Sequence, residues 1–305
     1  MMNMKGKEVQ IKRFVQAIGC LTPRLQNIAL HLSESQQATC EELHLRAGHP
    51  LHIQVDGAER EIPSPLIQTE ELREIVSRAA RYSVHSYGEA LAQGYLPLEG
   101  GHRLGVCGTA VVKERAITGI RTISSLNLRV ARQNPGVASS ILPNILQAGR
   151  VRSTLILSPP GFGKTTILRD LIRQLSGQGI RIAVADERGE IAAMQDGTPQ
   201  FDVGPQTDVL DGCPKAPGMM ILLKTMSPTV LTLDEITSPA DVDAITFAGH
   251  CGVSILATAH AIDLEDLKRR PLYRDLMRLS IFELALCISK DGANRKYEIQ
   301  EIGGI

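Results

Sequence analysis

Ser158-Pro159-Pro160-Gly161-Phe162-Gly163-Lys164-Thr165-Thr166 is a glycine-bearing run that ends in a lysine and two hydroxyls. It follows an apolar tetrapeptide, Thr154 to Leu157, and opens a stretch of helical periodicity from Thr165 to Leu175 that stops at Gly177. Strand, loop and helix in that order are the context a phosphate-binding loop requires. Backbone N–H groups of the loop and of the helix N-terminus point at an anion, and glycines allow its close approach. Lys164 is placed to reach the β- and γ-phosphates of ATP, and the Thr165 hydroxyl to ligate Mg²⁺. Ser158 occupies the position of the usual first glycine, which the loop tolerates only if φ there is negative.

Val230-Leu231-Thr232-Leu233 is an apolar run that ends in two carboxylates, Asp234 and Glu235. Beside a phosphate loop this pattern gives Asp234 the task of holding a metal through water, and Glu235 that of orienting or deprotonating an attacking water. Two other apolar runs end in polar groups: Ile182 to Ala185 leads into Asp186-Glu187-Arg188, and Ile255 to Thr258 into Ala259-His260. Ligands of open α/β sheets bind beyond the carboxyl ends of strands, so both clusters are expected along the nucleotide crevice. Asp186 and Glu187 are equally consistent with a cap or an ion pair with Arg188. His260 reads as a γ-phosphate sensor, the alternative being a satisfied core or loop histidine. The other seven histidines have no convincing ligand partner, and His49 and His52 are expected on a strand surface.

These residues need a scaffold, and the chain alternates accordingly. Strands are expected at Thr154–Leu157, Ile180–Ala185, Val230–Leu233 and Val253–Thr258, with a helix at Pro239–Gly249, the order of a parallel α/β sheet. Phe282–Ile288, the turn Asp291-Gly292 and Lys296–Ile302 read as a terminal antiparallel hairpin. Upstream the pattern differs. Glu42–Ile62 alternates as strand, turn and strand with Asp56-Gly57 as a hairpin dipeptide, a β-rich start. Leu72, Ile75, Val76, Ala79, Ala80 and Ser83 then follow helical spacing behind Glu70 and Glu71, and glycine-punctuated Gly94–Val112 suggests short twisted strands. We therefore expect a smaller α+β domain over residues 1–133, a linker over 134–150 signalled by Asn134-Pro135-Gly136, and an α/β phosphate-loop domain over 151–305.

Composition bounds the function. The 305 residues carry 33 Lys plus Arg against 33 Asp plus Glu, so a surface coated for nucleic acid is not expected, although a local basic groove is not thereby removed. Aromatics make up 3% with no Trp, which leaves little material for base-stacking platforms. A 43% hydrophobic and 22% charged mixture is that of a folded globular chain long enough for two domains. The six cysteines are scattered without a Cys-x-x-Cys pair, which suggests reduced thiols in the cytosol. The first 13 residues lack the apolar core of a signal peptide, and apolar runs such as Met219–Leu223 are far too short to span a bilayer.

The phosphate loop, then VADERGEIAA, then LLKTMSPTVLTLDEI, then ILATAHA, in this order, resembles the secretion-type ATPases of type II and type IV machines and pili. The resemblance is closer to their stage III sporulation branch, through Asp208 to Lys215 before the GMM run and through GGHRLGVCGTAVV, and it spans about Glu42 to Ile302. Two departures stand out. Many secretion ATPases have Gly-Glu where this chain has Asp234-Glu235, and many carry a zinc-binding cysteine cluster or a longer N-terminal region. The resemblance implies a RecA-like fold, ATP and Mg²⁺ as cofactors, hydrolysis, a homohexameric ring and peripheral attachment to a membrane through other stage III sporulation proteins. It also implies that ATP binds where domains or subunits meet, with an arginine finger from the smaller domain. Arg121, Arg129 and Arg132 are the candidates, and His102-Arg103 a weaker one. A nucleic-acid translocase on the same core, or a nucleotide switch without turnover, are the competing readings.

Overall fold

The computed structural model describes residues 4–55, 57–80, 94–114, 116–291 and 294–302. Asp56, Ser83 and Gly292, assigned above to two turns and a helix, lie outside the described residues. The chain divides into two compact units, Met1–Gln133 and Asn134–Ile305.

The first unit opens on helices α1 (Met4–Ala17), α2 (Pro23–Leu30) and α3 (Glu34–Thr39), before strands β1 (Cys40–Arg46), β2 (Leu51–Val55) and β3 (Ala58–Ile62). Helix α4 (Thr69–Ala80) and strands β4 (Tyr95–Pro97), β5 (Arg103–Lys113) and β6 (Ala116–Arg129) complete it. The sheet is antiparallel throughout, in the order β3-β2-β1-β6-β5-β4. Leu43, Leu45, Leu51, Ile53, Leu104 and Leu128 share one fully buried core with Phe14, Ile18, Leu21 and Leu25 of the opening segment and Leu72 and Ile75 of α4. The expected β-rich start is therefore corrected: three helices precede the sheet, with Phe14 and Ala17 of α1, Leu25 and Ala29 of α2, and Ile18 and Leu21 of the connection between them buried in the core. The short strands expected over Gly94–Val112 are instead dominated by one eleven-residue strand, β5, paired with fourteen-residue β6. Gly108 there marks an irregularity of the ladder rather than a strand end, since a Cβ would collide with the Thr122 carbonyl. His49 sits in the turn after β1, whereas His52 is on β2.

The second unit begins with α5 (Leu142–Ile145) and the small ribbon β7 (Leu146–Gln147) and β8 (Arg150–Val151). Its stretch 134–150 packs within this unit: Ala138, Ile141 and Ile145 are buried, and the Asp170 carboxylate accepts the Gly136 and Ala138 N–H groups at 3.0 and 2.8 Å. There follow β9 (Thr154–Leu157), α6 (Lys164–Gly177), β10 (Ile182–Asp186), the ribbon β11 (Met194–Gln195) and β12 (Thr198–Pro199), β13 (Thr207–Asp211), α7 (Lys215–Met226) and β14 (Val230–Leu233). Helix α8 (Pro239–His250), β15 (Ser254–Ala259), α9 (Leu264–Lys268), α10 (Pro271–Arg278), β16 (Leu284–Asp291) and β17 (Asn294–Glu301) end the unit. The main sheet has the order β13-β10-β14-β15-β9-β16-β17, parallel except for the last, antiparallel strand. Its central strands read as unbroken apolar runs because both faces are covered: β9, β10 and β14 are buried at every residue. One face packs on Ile167, Leu168 and Leu171 of α6, the other on Met219 of α7 and Ile245 of α8. Parallel strands end together, so the loops that follow the parallel strands of this sheet open on the same edge.

Candidate active site

Strand β9 ends at Leu157, and the loop 158–163 turns it into α6. Ser158 is not among the residues with positive φ, as its replacement of a glycine requires. Gly161 and Gly163 have φ of 76° and 94°, the left-handed region that side chains avoid, and Gly163 is the N-cap of α6. Lys164 is buried, and its Nζ donates to the Ser158 carbonyl at 3.1 Å and to Nδ1 of His260 at 2.8 Å. Burial lowers the pKa of this ammonium, while the charges of Asp234 and Glu235 oppose the shift.

Strand β14 delivers Asp234 to the same place. Its Oδ2 accepts the Thr165 hydroxyl at 3.1 Å and its Oδ1 the Thr258 hydroxyl at 2.7 Å. Thr258 Oγ1 in turn accepts the Glu235 N–H at 2.9 Å. Strand β15 lies between β9 and β14, so the lysine and carboxylate strands are about 10 Å apart, two strand spacings. Thr258 and His260, at the end of the middle strand, bridge that gap. The imidazole touches both sides, since its Nε2 is 3.5 Å from Glu235 Oε1. Glu235 itself has φ of +40°, a left-handed conformation costly for a residue with a side chain. A hydroxyl and a carboxylate 3.1 Å apart beside a buried lysine form the hard-oxygen donor set suited to Mg²⁺, which keeps most of its waters and takes the rest of its shell from phosphate.

Asp186 and Glu187 line one cavity with Asp234 and Glu235, together with Glu190, Arg188 and Lys215. Within it their tasks differ. Asp186 is buried and accepts N–H bonds from Glu190, Ile191 and Ala192 at 2.9, 3.1 and 2.8 Å, the capping role that was one of its two readings. Burial raises its pKa against the pull of those three donors. Glu187 is partly exposed and accepts from Lys215 Nζ at 3.0 Å. Lys215 is buried, bonds Thr237 Oγ1 at 3.1 Å and lies 3.8 Å from buried Asp241, so it ties the Glu187 loop to the segment after Glu235.

The arginines of the first unit occupy several settings. Arg121 and Arg129 are exposed on β6, and Arg129 Nε lies 2.9 Å from Glu42 Oε1 across the β1/β6 ladder. Arg132 is half-buried. His102 is fully within the core of its unit: Nδ1 accepts the Ala131 N–H at 2.9 Å, and burial with the nearby Arg13 charge depresses its pKa to about 3. It is a neutral structural imidazole, which removes it from the weaker His102-Arg103 pair, while Arg103 stacks over Tyr95 at 5.4 Å.

Three residues near the loop and cavity escaped the motif reading. Thr258 was visible only as part of a strand, and Lys215 only as the end of a familiar stretch. The third is Arg295 of β17, whose guanidinium lies against Gly163, with Lys290 of β16 above the Phe162 ring at 4.5 Å. The basic pair flanking the terminal turn was its signal in the sequence.

A family model described as sporulation stage III, protein AA matches residues 11–302. Stage III sporulation protein AA of Bacillus subtilis (strain 168) is 37% identical over 276 residues, which cover 88% of this chain and 89% of that protein. The solved structure of the Legionella pneumophila ATPase DotB matches with a TM-score of 0.63 at 15% identity, over 93% of this chain and 82% of that one. The pilus retraction motor PilT with bound ADP gives 0.60 at 16% identity, over 88% and 81%. These likenesses establish the fold as α/β with a RecA-like P-loop core, as expected. Among the described residues no helix is long and apolar enough to cross a membrane.

Proposed function

The chain belongs to the sporulation stage III, protein AA family, and from that premise we propose that it is an ATP-hydrolysing motor of the secretion-ATPase type. The observation that carries this reading is the convergence of Lys164, Thr165, Asp234, Glu235 and His260 on one sheet edge. Lys164, held in low-dielectric surroundings with its charge supported by two carboxylates, stabilises the β- and γ-phosphates. Thr165 and Asp234 hold Mg²⁺, which when bound draws charge from the phosphate oxygens. Glu235 orients and deprotonates the attacking water, and His260 fixes the Glu235 carboxylate from the side of Lys164. The relatives named for motors and ATPases support the same reading: PilT is a retraction motor solved with ADP, and DotB an ATPase.

The working form we propose is a homohexamer in which Arg121, Arg129 or Arg132 supplies an arginine finger. The chain pivots where the two units join, near Asn134-Pro135-Gly136. Its task is to drive a channel between mother cell and forespore, docked at the membrane through other stage III sporulation proteins. Arg129→Ala is then expected to lower turnover far more than ATP affinity.

Mg-ATP hydrolysis by wild type, Lys164→Ala and Glu235→Gln, with oligomeric mass followed in the same samples, tests the proposal. Turnover lost in both variants, with ATP-favoured assembly, supports the motor. Tight ATP binding without wild-type turnover in any assembled state points instead to a nucleotide switch.

A further inference from the structure

The terminal hairpin places two cations directly opposite each other: Lys290 of β16 pairs in register with Arg295 of β17. Opposed residues of an antiparallel ladder project to the same face, and like charges there destabilise the pairing. Both side chains are exposed, and neither makes an ion pair or hydrogen bond among the described residues. A pair of cations on one face of the ladder is a setting that suits an anion both can share.

The position of the pair says which anion. Arg295 Nη2, Cζ and Nε lie 3.0, 3.1 and 3.4 Å from where a Cβ on Gly163 would stand. With Cζ as near to that point as the nitrogens, the guanidinium packs over Gly163. Lys290 Nζ is 4.5 Å from the centre of the Phe162 ring, on the adjoining loop residue. Gly163 is thus glycine for two reasons, its φ of 94° and the space Arg295 occupies.

We infer that Lys290 and Arg295 are ligands for the phosphates of a nucleotide bound on the loop 158–166, so that the terminal hairpin forms part of the nucleotide site in the same chain. This rests on the nucleotide reading above. A planar guanidinium gives charge-assisted, two-pronged bonds to phosphate oxygens, and the ammonium adds a second charge. The bound polyphosphate also removes the Lys290–Arg295 repulsion, so ligand binding and hairpin stability are coupled.

The test is titration of the full chain with Mg-ADP and Mg-ATP by calorimetry, alongside thermal unfolding, for wild type, Arg295→Ala, Arg295→Lys, Lys290→Ala and Lys164→Ala. Arg295→Ala is expected to weaken both nucleotides by about tenfold, Lys290→Ala by less, and Arg295→Lys to recover part of the loss. The unliganded Arg295→Ala protein should melt no lower than wild type, while its nucleotide-induced rise in Tm shrinks, a combination a merely structural arginine does not give. Wild-type affinity in Arg295→Ala, with binding abolished in Lys164→Ala, overturns the assignment and leaves the nucleotide reading intact. Failure of wild type to bind either nucleotide removes both.

Discussion

Lys164 and His260 are joined through Nζ and Nδ1 at 2.8 Å, and this contact sets the state of the imidazole. An ammonium only donates, so Nδ1 is the acceptor and the ring proton of neutral His260 sits on Nε2, facing Glu235 Oε1 at 3.5 Å. The histidine therefore links the phosphate-loop lysine to Glu235, the carboxylate we propose handles water. His260→Ala should lower kcat by about a hundredfold while KM moves by less than about threefold. Steady-state kinetics decides it: a KM effect with kcat unchanged would assign His260 to binding alone.

The backbone of Glu235 is held at φ of +40°. For a residue with a Cβ that conformation costs on the order of 1 kcal/mol or more, and glycine relieves it. Glu235→Gly should thus melt no lower than wild type yet lose turnover, whereas Glu235→Gln keeps both the strain and the wild-type Tm but also loses turnover. A Tm several degrees below wild type for the glycine variant would show that the side chain, not the strain, governs stability there.

Asp186 supplies the pH prediction. Burial lifts its carboxyl above the ordinary 3.8, so the folded chain binds this proton more readily than the unfolded one. Its contribution to stability is fully present below about the unfolded value and is lost as pH rises through the raised native value. Asp186→Asn removes that segment of the pH profile and, at neutral pH, costs about 2 kcal/mol, because an amide NH₂ now meets N–H donors. Denaturant unfolding of both proteins from the acid range to neutrality measures the difference; parallel profiles would exclude Asp186 as the group responsible.

The motif residues were legible because each lies where an apolar strand stops, and a parallel sheet brings such ends together whatever the order of strands. Val230–Leu233 and the loop at 158–166 needed only local pattern. Strand order is not local, so the sequence could not show that β15 separates β9 from β14, or that Thr258 would bond Asp234. Lys215 was hidden for the same reason: its partners Glu187 and Asp241 come from two other segments. The helices of residues 4–39 carry no continuous helical stripe in the sequence, because Phe14, Ile18, Leu21 and Leu25 are divided between α1, α2 and a connection that Pro23 closes. Arg13 of α1 donates through Nε to the Ala131 carbonyl at 2.9 Å, a contact with a residue more than a hundred positions away that no local pattern shows.

Strand β9 has its two neighbours in β15 and β16, both encoded much further along the chain. During synthesis at about 5–20 residues per second, the roughly 100 residues separating β9 from β15 take about 5–20 s to appear. Throughout that interval Thr154-Leu155-Ile156-Leu157 has two open edges and the composition of an aggregation-prone strand. Pro159 and Pro160 follow one residue later, after Ser158, and a proline cannot donate to a ladder. The prolines of the phosphate loop therefore also limit how far a ladder formed on the exposed strand could extend in the C-terminal direction before β15 and β16 exist.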